Sequence, residues 1–363
     1  MSNEKKYQIA LSLIPGVGDV IGKKLVAYCG SAEAVFSEGA KTLNKIPGIG
    51  SKLGEIIGQA DTLDRGGQEL EFMEKEGVEM LFYTDKDYPN RLKQCNDSPL
   101  TLYYKGNPNF NANKIISIVG TRNASNDRKL FCEKIVGSLT DFNVVVVSGL
   151  AYGIDVCAHK AALKNDLETW GVLAHGLDRI YPSANNNVAK EMLKKGSLIS
   201  DYTSKTNPNR QNFPSRNRIV AGLSDATIVI ESGKKGGSLI TADIANSYNR
   251  EVFAVPGNPT NNNAKGCNEL IKNQKAILLE SIDDIVRELN WDLPENKSKQ
   301  TQLNIKLTNE ERRLVNILEE KMHIDAIASE INWSFTKVSQ ILLQLEFSGV
   351  IQSLPGKIYK RVE

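Results

Sequence analysis

Six short apolar runs, rich in β-branched residues, recur through the middle of the chain: KIISIVG (114–120), NVVVVSG (143–149), TWGVLA (169–174), SLIS (197–200), ATIVIES (226–232) and EVFAVPG (251–257). Most lack polar–apolar alternation, so both faces of the strands they predict must be covered. Between them, residues 124–141, 153–165 and 238–249 carry apolar positions at helical spacing. Strands alternating with helices predict an α/β fold: a Rossmann-like, doubly wound, mostly parallel sheet over residues 113–290. Residues 66–112 add a short apolar strand, a Tyr-Pro turn and a second strand ending in Gly106, and are read as that domain's N-terminal extension, giving a domain of residues 66–290.

The flanks have other patterns. Residues 1–65 contain an imperfect repeat, LIPGVGDVIGKKL (13–25) and KIPGIGSKLGEII (45–57), each a hydrophobic-Pro-Gly-hydrophobic-Gly turn followed by a helical pattern. The turns expose backbone N–H groups at a helix N-terminus, which suits phosphate contact. They resemble the helix-hairpin-helix motif of DNA binders that read no sequence; equally, the two hairpins need do no more than pack together as a small helical, SAM-like domain. WDLPENKSKQTQLN (291–304) is polar and reads as a linker. Residues 305–363 open with Thr308 and Glu311 at capping-box spacing, continue with two more helical patterns and close on two short strands around Pro-Gly, which predicts a winged helix.

Composition narrows the function. The 363-residue chain has a net charge of +2, so a nucleic-acid surface must be a local patch. The five cysteines are far apart and form no CxxC, so reduced core thiols are expected, with no metal site. No apolar run approaches membrane-spanning length and the N-terminus has no long apolar segment, so a cytoplasmic protein is expected.

Ligands of an open α/β sheet bind outside the carboxyl ends of its strands. After the first central strand, GTRNAS (120–125) places Arg122 for one phosphate, with Asn123 or Ser125 as helix caps. This is not G-x-G-x-x-G, and no cofactor is expected. In SGLAYGIDVCAHKAAL (148–163), Gly149 and Gly153 bracket a tight turn and Asp155 caps the next helix. In SGKKGGSLITA (232–242), Lys234, Lys235, Gly236, Gly237, Ser238 and Thr241 gather at a helix N-terminus as an anion cradle that is not a Walker A loop. In NFPSRNRIVAGLS (212–224), Pro214 and Ser215 read as a helix start, which puts Arg216 and Arg218 in a first turn that disfavours cations. A phosphate chain would make them acceptable; the alternative is a structural ion pair of either arginine with Asp225 or Asp201. From Thr203 to Arg250 seven basic residues face three acidic ones, which predicts an electropositive groove.

Phe213, Tyr152 and Tyr181 are candidates for stacking on bases. Catalytic equipment is sparse. His159 reads as a core or capping histidine and His323 as incidental; His175 with Asp178 is the one pair suggestive of acid–base work, and neither a nucleophile nor a metal-ligand spacing accompanies it. In the C-terminal unit eight basic residues balance eight acidic ones from Ile305 onward. The recognition helix, 334–348, offers Lys337 alone against Glu346, and the wing Lys357, Lys360 and Arg361, so a regulatory or partner-binding role is expected there.

VGTRNAS, VVSGLAYGIDVCAHKAAL, HGLDRIYPSANNNVA, FPSRNRIVAGLSD, GSLITADIANSYNREVFAVPGN and KGCNELIKNQKA, in this order, resemble the successive motifs of the DNA processing protein A family, also called Smf. The resemblance implies a non-enzymatic, single-stranded DNA-binding recombination mediator. Such a protein protects incoming DNA during natural transformation, loads the RecA recombinase and works as a homodimer. It carries the family's Arg onto Arg122, the RNR motif onto Arg216 and Arg218, and the GSLITA turn onto Gly237 and Ser238. The position before Gly153 is Tyr152, where some relatives have a basic or aliphatic residue. The rival reading is a nucleotide phosphoribohydrolase-type enzyme, for which GKKGGS lacks the Pro of a Pro-Gly-Gly turn and an adjacent carboxylate.

Overall fold

The computed structural model describes residues 3–292, 308–318, 321–348, 350–354 and 356–361; beyond Asp292 the expected linker lies outside them. The chain divides into two compact units, Met1–Leu293 and Pro294–Glu363.

The first unit opens with six helices, Asn3–Ser12, Asp19–Cys29, Ala32–Ser37, Ala40–Leu43, Ser51–Gly58 and Leu63–Glu76. The repeat is reproduced in the backbone. Gly16 and Gly48 take φ of +83° and +88°, a conformation open to glycine, and Gly18 and Gly50 cap the helices that follow. Ile14, Val17, Ile46 and Ile49 of the two turns share one core. The first turn is already occupied from within the chain. The Asp19 carboxylate accepts the Leu100 N–H at 2.7 Å and pairs with Arg218 at 3.0 Å, so a phosphate approaching that helix end would meet a carboxylate.

Nine strands form one sheet: β1 (Glu79–Phe82), β2 (Thr101–Gly106), β3 (Ile115–Val119), β4 (Val145–Ser148), β5 (Thr169–Val172), β6 (Ser197–Ser200), β7 (Ala226–Val229), β8 (Glu251–Ala254) and β9 (Ile277–Leu278). Their order is β1-β2-β6-β5-β4-β3-β7-β8-β9, parallel from β6 to β9, with β1 and β2 antiparallel at one edge. All six apolar runs become strands, generally shorter than the runs themselves. Ile116, Ile118, Val146 and Ile228 meet the helices Asn126–Ser138 and Ile154–Lys164 on one face. Val119, Val147, Trp170 and Val229 meet Asn212–Leu223 and Gly237–Ser247 on the other. Burial on both faces is the reason these strands carry no alternation.

The chain builds outward from β3 through β4, β5 and β6, then returns to the other side of β3 as β7. This reversal is a topological switch point, where an open α/β sheet leaves a crevice at its carboxyl edge.

In the second unit the helices Asn309–Ile317, Ile324–Ile331 and Phe335–Phe347 pack around Leu314, Ile327, Val338 and Leu342. Thr308 and Glu311 form the expected capping box. The hairpin β11 (Ile351–Leu354) and β12 (Ile358–Arg361) gains a further strand, β10 (Met322–His323), on the β12 side. This is a winged helix.

Candidate nucleic-acid interface

At the switch point the loops after β3 to β7 surround a crevice of about 730 Å³. Thr121 and Arg122 come from the β3 loop, Asp155 from the helix after β4, and Tyr181 from the segment after β5. Arg210, Phe213, Arg216 and Asn217 follow β6, and Lys235 to Ser238 follow β7.

Arg216 forms the floor. It is 4% exposed, and its Nη1 donates to the Gly149 carbonyl at 2.9 Å and to the Val172 carbonyl. No carboxylate lies within ion-pair distance of it among the described residues. Burial pushes the guanidinium below its ordinary pKa, and the charge of Asp155 draws it back up. Asp155 is itself buried; burial raises its carboxyl, opposed by Arg216 and by hydrogen bonds from the backbone of Ala151 and Gly149 and the Ser148 hydroxyl. Gly149 separates the two charges: a Cβ there would lie 2.5 Å from Arg216 Nη2 and 2.7 Å from Asp155 Oδ2. Gly149 thus acts beneath the crevice and does not line it. Arg216 Nε donates to the Asn217 side-chain oxygen at 3.4 Å; a buried cation that lines a cavity and has no ion-pair partner among the described residues is a site for an anion.

Arg218 is elsewhere, which corrects the expectation that both arginines face ligand. It pairs with Asp201 at 2.5 Å and Asp19 at 3.0 Å and donates to the Asp97 carbonyl. Burial lowers its pKa, but Asp201, Asp19 and Asp97 raise it further, so the net shift is upward. Asp225 is taken by Arg91 at 2.7 Å. The helix also begins earlier than expected, at Asn212. The buried Asn212 amide donates to the carbonyls of Ala174 and Asn207 and pins that end. Both arginines therefore fall in the second turn, past the dipole's positive end.

The walls carry the exposed groups. The Arg122 guanidinium lies 5.3 Å from the Phe213 ring centre, and Phe213 lies 6.0 Å from Tyr181, which is 46% exposed. A cation stacked on an aromatic pair offers both a phosphate contact and a face for a base. Opposite, Gly236 caps the helix Gly237–Ser247 with no side-chain cap, and Ser238 Oγ is held by Ser232 Oγ at 2.9 Å. Lys235, Gly236, Gly237 and Ser238 line the crevice, whereas Lys234 is exposed outside its lining. Gly237 has no left-handed φ and open space where a Cβ would point, so a side chain there would fill the cavity rather than strain the turn. Tyr152 lines a neighbouring pocket instead.

Several residues that build the site were not singled out by sequence. Arg210 lines the crevice and was only one count in a positive segment. Buried Glu231 accepts the Ser125 N–H at 2.9 Å and hydroxyl at 3.1 Å, closing the loop that carries Arg122. Buried Glu69, from the N-terminal helices, accepts the Ser204 N–H at 2.8 Å and hydroxyl at 2.6 Å and anchors the segment leading to Arg210. Nothing local in the sequence signals such long-range pairs.

Neither His175 nor His159 forms an acid–base pair with a carboxylate. His175 is buried, donates Nδ1–H to the Gly176 carbonyl at 2.9 Å and has its pKa lowered by burial. Asp178 is engaged by Arg179 at 2.7 Å and by the Lys205 N–H. His159 is buried against Thr169 Oγ1, its pKa lowered to about 3 by burial.

Residues 79–290 match the family model for DNA recombination-mediator protein A, and residues 298–357 that for the DprA winged helix domain. The chain is 37% identical to Protein Smf of Synechocystis over 77% of its own length and 71% of the relative's. It is 39% identical to DNA processing protein DprA of Bacillus subtilis over 59% and 72%. Its fold is similar to the crystal structure of DprA from Streptococcus pneumoniae, with TM-score 0.66 and 31% identity over 79% of this chain and 98% of that one. It is also similar to DNA processing protein A of Helicobacter pylori, whose structure describes a single-stranded DNA binding mode, with TM-score 0.53 and 28% identity over 59% and 95%. A doubly wound sheet with a cationic switch-point crevice, a winged helix and these likenesses lead to one conclusion: the chain belongs to the DNA recombination-mediator protein A family.

Proposed function

We propose that the crevice binds single-stranded DNA, that the protein shields such strands, and that as a homodimer it loads the RecA recombinase onto them. The observation that carries the DNA reading is Arg216, a buried guanidinium lining a cavity, with no carboxylate within ion-pair distance among the described residues. A phosphate there would offset its desolvation. Arg122, Arg210 and Lys235 extend the positive rim along a strand's path, while Phe213 and Tyr181 present faces to bases that a duplex keeps stacked. The single-strand binding of the Helicobacter relative and the family's role in recombination support the same reading.

Titrating labelled oligothymidylate and a duplex of equal length at two salt concentrations tests it. Tighter single-strand binding that weakens with salt is expected; preference for the duplex would overturn the reading. The mediator step is read as RecA filament assembly on strands coated with a single-strand-binding protein. Wild type is expected to accelerate it and Arg216→Ala to fail.

A further inference from the structure

Beside Arg122 lies a second pocket, of about 600 Å³, between the loops after β3 and β4 and the helices that follow them. We propose that it is a second nucleotide subsite, which seats the base of a nucleotide neighbouring the one in the crevice and holds that nucleotide's phosphate with Lys129 and Lys160. This rests on the crevice being a single-strand site.

Three observations point to that occupant. The pocket is continuous with the crevice, because Arg122 lines both. Gly153, at φ +78°, lets the two loops approach closely: a Cβ there would lie 2.2 Å from the Thr121 carbonyl oxygen and 2.6 Å from that of Arg122. A strand whose phosphate rests on Arg122 therefore continues into either cavity. Secondly, the charge suits an anion: Arg122, Lys129 and Lys160 face a single acid, Glu133. Thirdly, the interior suits a base. Val156 and Cys157 supply apolar lining, and the Tyr152 ring stands at the edge, 49% exposed and free to stack. The volume is that of a small-ligand site, ample for one nucleobase. The Cys157 thiol, 8% exposed, is a built-in reporter of occupancy. It donates to the Lys129 carbonyl at 3.6 Å, and the neighbouring Cys132 thiol, aided by Lys129 and Lys160, draws its pKa below the usual thiol value.

The test uses the full-length protein with oligothymidylates of about 4 and about 12 nucleotides. A Tyr152→Ala, Lys129→Glu, Lys160→Glu triple variant alters no buried side chain. It is expected to bind the longer strand about tenfold or more weakly and with a flatter salt dependence, and to bind the shorter one as wild type does. In wild type the longer strand is expected to slow modification of Cys157 by a thiol reagent, a signal identified by its absence in Cys157→Ser, and the shorter strand is not.

Equal losses at both lengths, or none at either, would overturn the subsite, as would unprotected Cys157 under a saturating long strand. Intact oligonucleotide binding with loss of RecA loading alone would make the pocket a protein-docking site instead. Failure of the underlying reading looks different: wild type would bind neither length, or Arg216→Ala would bind both normally, and the subsite would fall with it.

Discussion

The switch-point crevice and the winged helix both set basic side chains beside aromatic rings, yet only the crevice adds a buried cation without an ion pair among the described residues. In the winged helix, Lys337 pairs with Glu310 at 2.6 Å while lying 4.5 Å from the Trp333 ring centre, and Lys357 lies over Phe335 at 5.6 Å. Lys337 already has a carboxylate partner and gains little from a phosphate, while Lys357 is an exposed charge with no ion-pair partner among the described residues. In the crevice, Arg122, Arg210 and Lys235 have no ion-pair partner among the described residues, and Arg216 is desolvated as well. Neither the number of basic residues nor their exposure separates the two regions, since Arg122, Arg210 and Lys235 are exposed and unpaired as Lys357 is; what separates them is Arg216, a cation desolvated and left without an ion pair among the described residues. The same lesson holds within one helix, where Arg218 is saturated by carboxylates and Arg216, two residues earlier, is not.

That contrast can be broken in four places. The largest effect is expected from Arg218→Ala, and on stability rather than binding. Removing one partner of a buried ion pair costs about 3–5 kcal/mol, so the denaturation midpoint should drop sharply while the folded fraction keeps its oligonucleotide affinity. Arg216→Ala should do the reverse in emphasis, costing about 2–4 kcal/mol of single-strand affinity in protein shown to be folded. If the two variants lost affinity equally, the distinction between the arginines would be wrong.

Asp155 sharpens the comparison through pH. Burial raises its carboxyl above 3.8, so between the unfolded and folded values the native chain binds the extra proton. Its contribution to stability therefore grows as pH falls through that window and is lost as pH rises. Protonation also removes the charge opposing a phosphate at Arg216, so single-strand affinity should rise as pH falls. Asp155→Asn should bind several-fold more tightly near neutral pH and lack this part of the pH dependence. The smallest effect is expected from ending the chain at Trp291, which removes every winged-helix cation. Single-strand affinity at unchanged oligomeric state should stay within about a factor of two, below the roughly 1–3 kcal/mol of a specific contact; a tenfold loss would make the winged helix a second DNA site.

The sheet was legible because strands covered on both faces are mostly apolar without alternation, as 145–148 and 226–229 are, every residue of both being buried. The crevice was legible for a topological reason, since ligands gather at carboxyl ends and GTR, SGLAYGID and SGKKGGS follow strands. The Arg218–Asp201 pair was among the alternatives the sequence offered, but the rest of the pairing stayed hidden. Asp19, far back in the chain, settles the environment of Arg218, and Glu231 and Glu69 hold loops from distant elements. The Asn212 side chain moves the helix start by two residues through contacts that no local pattern records. Tyr152 was recognised as a stacking candidate, but its cavity depends on how two loops pack at Gly153.

The central claim is that strand phosphates are held at the rim of the switch-point crevice. Its most direct test is the salt dependence of oligothymidylate binding by wild type and by Arg122→Ala with Arg210→Ala, two exposed side chains whose loss should leave the fold intact. Two lost phosphate contacts should reduce the slope of log affinity against log salt by about 1.4 for a single strand and weaken binding most at low salt. Superimposable lines for the two proteins would contradict the account, because the phosphates would then lie somewhere other than this crevice.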